Sequence, residues 1–269
     1  MDIKLKCPVC GRELTDNGKT LSCEKNHSFD RARQGYVNLL PVQFKHSLDP
    51  GDTAEMLKAR RRFLDSGKYE PICRSVLQAM RKFAPENPKV LDIGCGEGYY
   101  TSKLKDEFPG EYMGIDISKD GARMACSRDK DIFFIVATAS HIPVADNQFD
   151  CLCAMFSLLL PEEYARVLKQ NGCVVEVTVG NDHLKELKNI IYDEVFFKNK
   201  HYSDCTGFFD EVQRSEYRYR ITLDNAALKD LLLMTPHFWR IRKERREQLE
   251  ATDSLTLTVD YWVRVLKKK

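Results

Sequence analysis

The sequence predicts an α/β protein whose mostly parallel sheet is covered by helices on both faces, preceded by a small metal-binding domain. Short apolar runs alternate with helical patterns of about ten residues, which favours a doubly wound parallel sheet. Three closely spaced glycines, Gly94, Gly96 and Gly98, follow the first of these runs where a helix can begin. Three cysteines and a histidine are crowded into the first 27 residues. Together these observations predict a ligand-binding sheet attached to a metal centre.

Composition bounds the class of protein without deciding its function. The chain has 269 residues, of which 43% are hydrophobic and 30% charged, and its net charge is +2. These values are typical of a globular protein with one large and one small domain. A total charge near zero neither requires nor excludes nucleic-acid binding. No run approaches the roughly 18 consecutive apolar residues of a membrane span, and the amino terminus lacks the apolar core of a signal peptide, so we expect a cytoplasmic protein.

The amino-terminal cysteines have the spacing of a zinc site. Cys7 and Cys10 form the knuckle CPVC, Cys23 follows after twelve residues, and His27 lies four residues further on. Two thiolates on one turn, with a thiolate and an imidazole on a second, would complete a tetrahedral and therefore structural zinc site. A redox dithiol is disfavoured because no βαβ pattern surrounds the knuckle, and a disulfide because the compartment is reducing. The seven other cysteines are expected to be free thiols.

Two helices are predicted between this segment and the first strand of the sheet. Residues 29–52 form a connector with a short extended piece near 36–41, and Asp52 or Thr53 caps the first helix. That helix carries the basic cluster KARRR, which is either a phosphate-facing patch or a solvated face. The second helix covers roughly residues 70–84 and ends in the turn PENPK.

The glycine loop distinguishes between two kinds of nucleotide-like cofactor. A dinucleotide-binding loop has the spacing G-x-G-x-x-G, whereas here Gly98 comes one residue too early. Asp92 stands just before the loop, and Asp116 lies twenty residues beyond Gly96 at the end of the next apolar run, where a carboxylate can accept ribose hydroxyls. This pattern resembles motif I of class I S-adenosylmethionine-dependent methyltransferases. We therefore expect S-adenosylmethionine as the cofactor.

The remaining strands are predicted from apolar runs and turn residues. The apolar run CLCAMF follows IPVADNQFD and resembles the fourth strand of these methyltransferases, so that residues 155–160 would face the transferred methyl group. The other predicted strands are 112–115, 132–137, 173–179 with Gly172 in the preceding turn, 217–221 and 255–266; the last two alternate like antiparallel edge strands.

Several blocks along the chain resemble one family, the bacterial 23S rRNA guanine-N1 methyltransferases of the RlmA type. The blocks are the Cys3His finger, GYVNLLPVQ from Gly35, the segment from Asp49 to Arg61, LDIGCGEGYY, DHLKELK from Asp182, and MTPHFWR from Met234. The resemblance implies a zinc-binding RNA-recognition domain (1–40), a connector with helices (41–88), and a Rossmann-like class I methyltransferase domain with a seven-stranded sheet (89–269). It implies a 23S rRNA hairpin loop as partner, and a homodimer is one possible assembly.

The resemblance also assigns residues to the two sites. The expected zinc ligands are Cys7, Cys10, Cys23 and His27. The expected cofactor-binding residues are Tyr69, Asp92, Gly94, Gly96, Glu97, Gly98, Asp116 and His183; Asp116 is assigned from the general class I pattern.

The sequence says less about how the methyl acceptor is bound and deprotonated than about how the cofactor is bound. Guanine N1 carries a proton at neutral pH, and the catalytic base is unknown, with His183 as a candidate and Ser157 and Asp182 behind it. Tyr36, Phe44, Lys45, Arg60, Arg61 and Arg62 would contact RNA, or else pack the domains together or lie in solvent. Leu158 to Leu160 replace an Ala-Pro pair of the family, in the loop where the base should enter. The alternatives are a class I methyltransferase for a small molecule or protein, and a non-catalytic RNA-binding homologue.

Overall fold

The computed structural model describes residues 2–44, 50–192 and 204–269. Its amino-terminal part contains a small antiparallel sheet in which β2 lies between β1 and β3. These strands are β1 (Thr15–Asp16), β2 (Thr20–Ser22) and β3 (Ser28–Asp30). Strands of two or three residues supply few ladder hydrogen bonds and little apolar area, so this sheet needs another source of stability.

A second, larger sheet forms the body of the protein. Its strands are β4 (Val37–Asn38), β5 (Lys89–Ile93), β6 (Glu111–Asp116), β7 (Phe133–Val136), β8 (Phe149–Met155), β9 (Leu168–Val179), β10 (Phe209–Asp224) and β11 (Ser254–Lys268). The strand order is β10-β11-β9-β8-β5-β6-β7-β4. The pairs from β9 to β4 are parallel, whereas β11 pairs antiparallel with both β9 and β10. The predicted α/β class and methyltransferase-like sheet are confirmed.

Helices cover both faces of this sheet. They are α1 (Ala54–Asp65), α2 (Glu70–Phe83), α3 (Tyr99–Glu107), α4 (Lys119–Arg128), α5 (Pro161–Val167), α6 (Lys185–Ile191), α7 (Asn225–Leu233) and α8 (Lys243–Glu250), with 3-10 turns at Val42–Phe44 and Pro236–Trp239. The predicted cap is confirmed for α1, where Thr53 accepts a hydrogen bond from the backbone N–H of Met56 at 3.3 Å. Apolar runs such as Val90, Leu91 and Ile93 are fully buried, as strands covered on both faces require.

The sheet has eight strands where seven were predicted, because the connector adds β4. Val37 and Asn38 pair in parallel with Ile135 and Val136 of β7. Val37 and Leu39 are buried, so the extended piece of the connector is held by its apolar side chains as well as by its backbone. Residues 37 and 38, within the range expected for the small domain, thus belong to the large sheet.

The prediction that β9 begins at Cys173 is wrong. The strand begins at Leu168, directly after α5, and its pairing with β8 shifts register between Leu168 and Cys173, where Gly172 lies. A Cβ on Gly172 would lie 2.6 Å from the Leu168 side chain and 3.0 Å from the carbonyl oxygen of Asp150. Glycine is therefore needed here for close packing within the sheet.

The order of the strands identifies the edge where ligands bind. From β5 the chain continues through β6 to β7 on one side, and through β8 to β9 on the other, so the topology reverses between β5 and β8. Ligands of such sheets bind outside the carboxyl ends of the strands at this reversal. The glycine loop leaves β5 at this point. Among the helices of the described residues, none combines the length and the apolar character needed to cross a membrane.

Candidate functional site

The four predicted zinc ligands lie together. The ligand atoms of Cys7, Cys10, Cys23 and His27 are all within 4.8 Å of one another. The Sγ atoms of Cys10 and Cys23 are 3.7 Å apart, and His27 Nδ1 lies 3.4 Å from Cys7 Sγ and 3.5 Å from Cys23 Sγ. Zinc bonds of about 2.3 Å to sulfur and about 2.0 Å to nitrogen in a tetrahedron separate sulfurs by roughly 3.8 Å and sulfur from nitrogen by roughly 3.5 Å. The cluster therefore fits zinc, and its sulfurs are too far apart for a disulfide.

Two tight turns bring the ligands into this geometry. The backbone N–H of Gly11 donates to the carbonyl of Cys7 at 2.8 Å, and that of Asn26 donates to the carbonyl of Cys23 at 2.9 Å. Gly11 and Asn26 both have positive φ, at 72° and 62°, the conformation that glycine and asparagine tolerate best. The site is thus formed locally, by one turn before β1 and a second turn between β2 and β3.

The metal-binding segment, residues 4–31, is packed against the large sheet. Leu5 and Leu21 belong to the same buried apolar cluster as Leu91 and Ile93 of β5. The backbone of Lys6 also donates to the carbonyl oxygen of Pro143 at 2.9 Å. The metal centre therefore holds a segment whose other face is part of the core of the cofactor-binding domain.

Each glycine of the loop after β5 sits at positive φ and in close contact with another element. A Cβ on Gly98 (φ 82°) would lie 2.9 Å from the Cβ of Ala125 in α4, and one on Gly94 (φ 75°) would lie 2.8 Å from Ser157 Oγ. A Cβ on Gly96 (φ 55°) would lie 3.1 Å from Arg60 Nη1. The loop therefore requires glycine at these positions, and among them Gly94 is exposed, where a ligand can approach the backbone.

The two carboxylates predicted for the cofactor site, Asp92 and Asp116, hydrogen-bond to the glycine loop and to the helices next to it. Asp116 accepts backbone hydrogen bonds from Gly96 and Ser118, each at 2.8 Å, so one oxygen fixes the glycine loop and the other starts α4. Asp92 is buried and accepts a hydrogen bond from Thr101 Oγ1 at 2.5 Å. Burial raises the pKa of Asp92 to about 7; the Thr101 hydrogen bond opposes this shift and the charge of Asp116 adds to it.

Glu97 lies in the loop, but its carboxylate is turned to two arginines. Its Oε2 accepts from Arg61 Nε at 2.9 Å and from Arg128 Nη2 at 2.6 Å, and the side chain is fully buried. Its Oε1 is buried with no hydrogen-bond partner among the described residues. Burial raises the pKa of Glu97, against the opposing charges of Arg128 and Arg61. This ion-pair cluster ties the loop to α1 and α4.

Tyr69 and His183 are 114 residues apart in the sequence and meet in the core. The Tyr69 hydroxyl lies 3.4 Å from His183 Nε2, and both side chains are at least 93% buried. His183 Nδ1 accepts the backbone N–H of Asp260 at 3.3 Å. When Nδ1 accepts, the neutral ring carries its proton on Nε2, which can then donate to the oxygen of Tyr69. This pair sits in front of Gly180, which leaves β9.

The basic cluster of α1 is paired within the domain. Arg60 forms an ion pair with Asp52 at 2.5 Å and Arg62 contacts both oxygens of Asp230 in α7. Arg61 also donates to the carbonyl of Met124 in α4 at 2.8 Å. These three arginines thus form ion pairs with carboxylates of the same domain, an arrangement that neither interpretation of the basic cluster, as a phosphate-facing patch or as a solvated face, specifies. The charge of Arg60 also lowers the pKa of Asp116, which burial raises.

A cavity of about 260 Å³ lies beside Asp116, at the carboxyl ends of β6 and β7. Its wall includes Ile117 and Ser118 after β6, Val136 of β7, and Asp52 and Thr53 ahead of α1. The carboxylate of Asp116 connects the cavity wall to the glycine loop, because it accepts hydrogen bonds from both Ser118 and Gly96. A nucleoside held by Asp116 would extend into this space.

Other predicted residues are placed as follows. Asp182 pairs with Arg218 at 3.0 Å, Phe44 stacks on His141 with ring centres 4.4 Å apart, and Lys45 lies outside the described residues. His237, to which the sequence assigns no role in either site, lies with its Nδ1 2.7 Å from the Tyr192 hydroxyl, and burial lowers its pKa to about 4.

Sequence reasoning missed Thr101 altogether, and it placed Phe156 within the site-facing range 155–160 without its backbone conformation. Thr101 fixes Asp92, and nothing but its position nine residues after an acidic residue marks it in the sequence. Phe156, directly after β8, has φ 56° and is 40% exposed. A positive φ at phenylalanine has no sequence signature.

Family models match both the metal-binding segment and the domain that carries the glycine loop. Residues 5–48 match the family model of the zinc ribbon described as RlmA, N-terminal, and residues 90–175 match the model described as a methyltransferase domain. The Bacillus subtilis protein YxjB, provisionally named 23S rRNA (guanine-N1)-methyltransferase, is 33% identical over 95% of this chain and 94% of its own length.

A second relative and a solved structure agree with these matches. The 23S rRNA (guanine(748)-N1)-methyltransferase of Streptomyces fradiae is 30% identical over 96% of this chain and 95% of its own length. The fold is shared with the crystal structure of YcgJ from Bacillus subtilis, at a TM-score of 0.51 and 18% identity, covering 73% of this chain and 99% of that one.

Proposed function

Because the chain belongs to the family of bacterial 23S rRNA (guanine-N1)-methyltransferases, we propose that it transfers a methyl group from S-adenosylmethionine to N1 of a guanine in a hairpin loop of 23S rRNA. One observation carries the proposal: the likeness to the rRNA enzymes extends over both the Cys3His centre and the methyltransferase domain. A methyltransferase for a small molecule or protein would leave the metal-binding segment without a role.

The residues proposed to hold the cofactor surround the carboxyl end of β5. They are Tyr69, Asp92, Gly94, Gly96, Glu97, Gly98, Asp116 and His183. In this proposal Gly96 offers backbone to the cofactor, Asp116 offers the remaining lone pairs of its oxygens to the ribose, and Asp92 and Glu97 act by holding the loop in shape. S-adenosylmethionine supplies an activated methyl group, so the protein has mainly to orient the base and exclude water.

His183 is better suited to positioning than to proton transfer. Its Nδ1 accepts from Asp260 and its Nε2 faces the Tyr69 hydroxyl, so both ring nitrogens already have a partner. The carboxylate of Asp182 is similarly engaged by Arg218 and Lys185. Ser157 lies beside the loop, since its Oγ would be 2.8 Å from a Cβ placed on Gly94. Its hydroxyl can hydrogen-bond to the base but is too weakly basic to keep the N1 proton, so the catalytic base remains unassigned.

The proposal extends to the RNA structure that is recognised, the oligomeric state and the cellular location. Guanine N1 is paired in a duplex, so an unpaired loop nucleotide is the substrate that needs least distortion. The metal-binding segment would then contribute to RNA recognition. We further propose a cytoplasmic enzyme and a homodimer, and light scattering of the purified protein at several concentrations measures the latter.

Methyl transfer can be tested directly. The purified chain is incubated with deproteinised 23S rRNA and S-adenosylmethionine labelled with tritium in the methyl group, and the modified nucleotide is mapped by mass spectrometry. We expect one N1-methylguanine per 23S rRNA and none in 16S rRNA. Mapping starts at guanine 748, for which the Streptomyces fradiae relative is named.

Two outcomes would contradict the proposal. Label in a small molecule or protein but never in RNA would favour the second class of methyltransferase. Tight binding of cofactor and RNA with no turnover would favour a non-catalytic RNA-binding homologue. A Gly98→Ala variant, which the loop geometry disfavours, controls for contaminating activity.

A further inference from the structure

We infer that the side chain of Phe156 is the platform on which the target base stacks during methyl transfer, an inference that rests on the proposed function. Phe156 is the first residue after β8 and has a left-handed backbone, with φ 56°. A bulky residue in this conformation is strained, and such strain persists mainly where it serves a site. Its ring is nevertheless 40% exposed, so burial of the ring does not compensate for the strain.

The backbone around Phe156 is fixed on both sides. The backbone N–H of Phe156 donates to the carbonyl of Val177 at 2.9 Å, which continues the pairing of β8 with β9. Two residues later, the carbonyl of Leu158 accepts from the Tyr164 hydroxyl at 2.6 Å, and Leu159 is buried in the core. The backbone of this loop is therefore held in place by hydrogen bonds and by a buried side chain, while Phe156 and Leu158 are exposed.

The position of Phe156 is the one a reacting base requires. Ser157, its neighbour, touches the glycine loop at Gly94. The ring of Phe156 lies 6.3 Å from that of His183, at an angle of 38°. Phe156 thus stands at the carboxyl end of β8, next to a residue that contacts the loop proposed to hold the cofactor, and near the Tyr69–His183 pair.

The chemistry of the ring favours a nucleobase over other occupants. Aromatic side chains stack unpaired bases of single-stranded loops, and removal of one such ring weakens binding about 5-fold to 150-fold. Leu158 is 76% exposed beside it and adds apolar surface. Phe156 offers no hydrogen-bonding group, so it would position the base and leave the choice of guanine to polar groups.

The positive φ makes a sharp test possible with Phe156→Gly. Glycine adopts φ 56° without strain, so this variant should unfold at the same temperature as the wild type or higher, and bind S-adenosylmethionine within 2-fold of it. The value of kcat/KM for RNA should fall about 10-fold to 100-fold, and Phe156→Tyr should restore most of it. The matched control is Phe208→Gly, an equally exposed phenylalanine (41%) before β10, at the opposite edge of the sheet; it should keep full activity.

A binding measurement separates this inference from methyl transfer itself. Affinities are measured for a hairpin RNA spanning guanine 748 and for the same hairpin with an abasic site there. The wild type should bind the intact hairpin at least 5-fold more tightly, and Phe156→Gly should bind both hairpins equally. Equal binding by the wild type, or a preference that survives in Phe156→Gly, would overturn the inference. A wild-type preference without any methyl transfer would instead overturn the proposed function and leave the stacking role supported.

Discussion

The metal centre and the cofactor site differ in how their parts are distributed along the chain. The four metal ligands lie between residues 7 and 27, on two turns joined by a small sheet. The proposed cofactor site joins Tyr69 ahead of β5, the glycine loop, Asp116 at the end of β6 and His183 after β9. The first site is made by local spacing and the bond to a metal, whereas the second is made by packing. The two should therefore respond differently to the loss of one group.

The largest effect is expected from removing a metal ligand. Cys7→Ser should abolish stoichiometric zinc and unfold residues 4–31, since apparent zinc binding supplies about 10–16 kcal/mol in comparable small modules. Metal analysis and hydrogen exchange of this segment measure both effects. Cys126→Ala, which removes a buried thiol outside the cluster, is the control.

The same hydrogen-exchange experiment tests whether the metal-binding segment and the large sheet unfold independently. Leu5 and Leu21 pack with Leu91 and Ile93, so unfolding of the metal-binding segment exposes part of the core of the large sheet. If β5 loses its protection from exchange together with residues 4–31, the two regions form one cooperative unit and are not separate.

The next effect is expected from the ion-pair cluster under the glycine loop. Glu97→Ala leaves Arg61 and Arg128 without their shared carboxylate, and removing one partner of a buried pair costs about 3–5 kcal/mol. Urea unfolding should show this loss. Glu70→Ala removes an exposed partner of Arg74 and should change the free energy of unfolding far less, because solvent screens an exposed pair. Equal effects of the two variants would mean that packing around Glu97 does not depend on its charge.

A smaller effect is expected from adding one methyl group to the loop. In Gly98→Ala the new Cβ would lie 2.9 Å from that of Ala125, at φ 82°, so a destabilisation of about 1–3 kcal/mol should accompany weaker binding of S-adenosylmethionine. Calorimetric titration and thermal unfolding measure the two quantities. Gly207→Ala meets no atom within 4 Å and serves as the control. Unchanged cofactor affinity would show that the loop adapts by shifting α4.

The smallest effect concerns pH. Burial raises the pKa of Asp92 from 3.8 to about 7, so the folded chain holds this proton more tightly than the unfolded chain. The contribution of Asp92 to the free energy of unfolding therefore falls as the pH rises from about 4 to about 7, by a few kcal/mol at most. Asp92→Asn, whose amide oxygen can still accept from Thr101, should flatten this part of the profile, whereas Asp131→Asn on the surface should not. A profile unchanged by Asp92→Asn would contradict the assignment.

The sequence by itself determined whatever depends on neighbouring residues. The zinc ligands follow from spacing, because two knuckles place their ligands by local turns. The glycine loop and Asp116 follow from the strand-turn-helix pattern, and their positions in the structure agree with it. The start of α3 at Tyr99 follows from the same pattern, because the three glycines mark the point where a helix can begin.

Tertiary structure alone decided what depends on distant partners. Arginines in KARRR carry no information about Asp52, Glu97 and Asp230, because these partners lie on other elements. The pairing of β4 with β7, the early start of β9 and the strained backbone of Phe156 likewise arise from packing across the sheet. Local patterns fix which groups are available, and long-range packing fixes which of them meet at the carboxyl edge of the sheet.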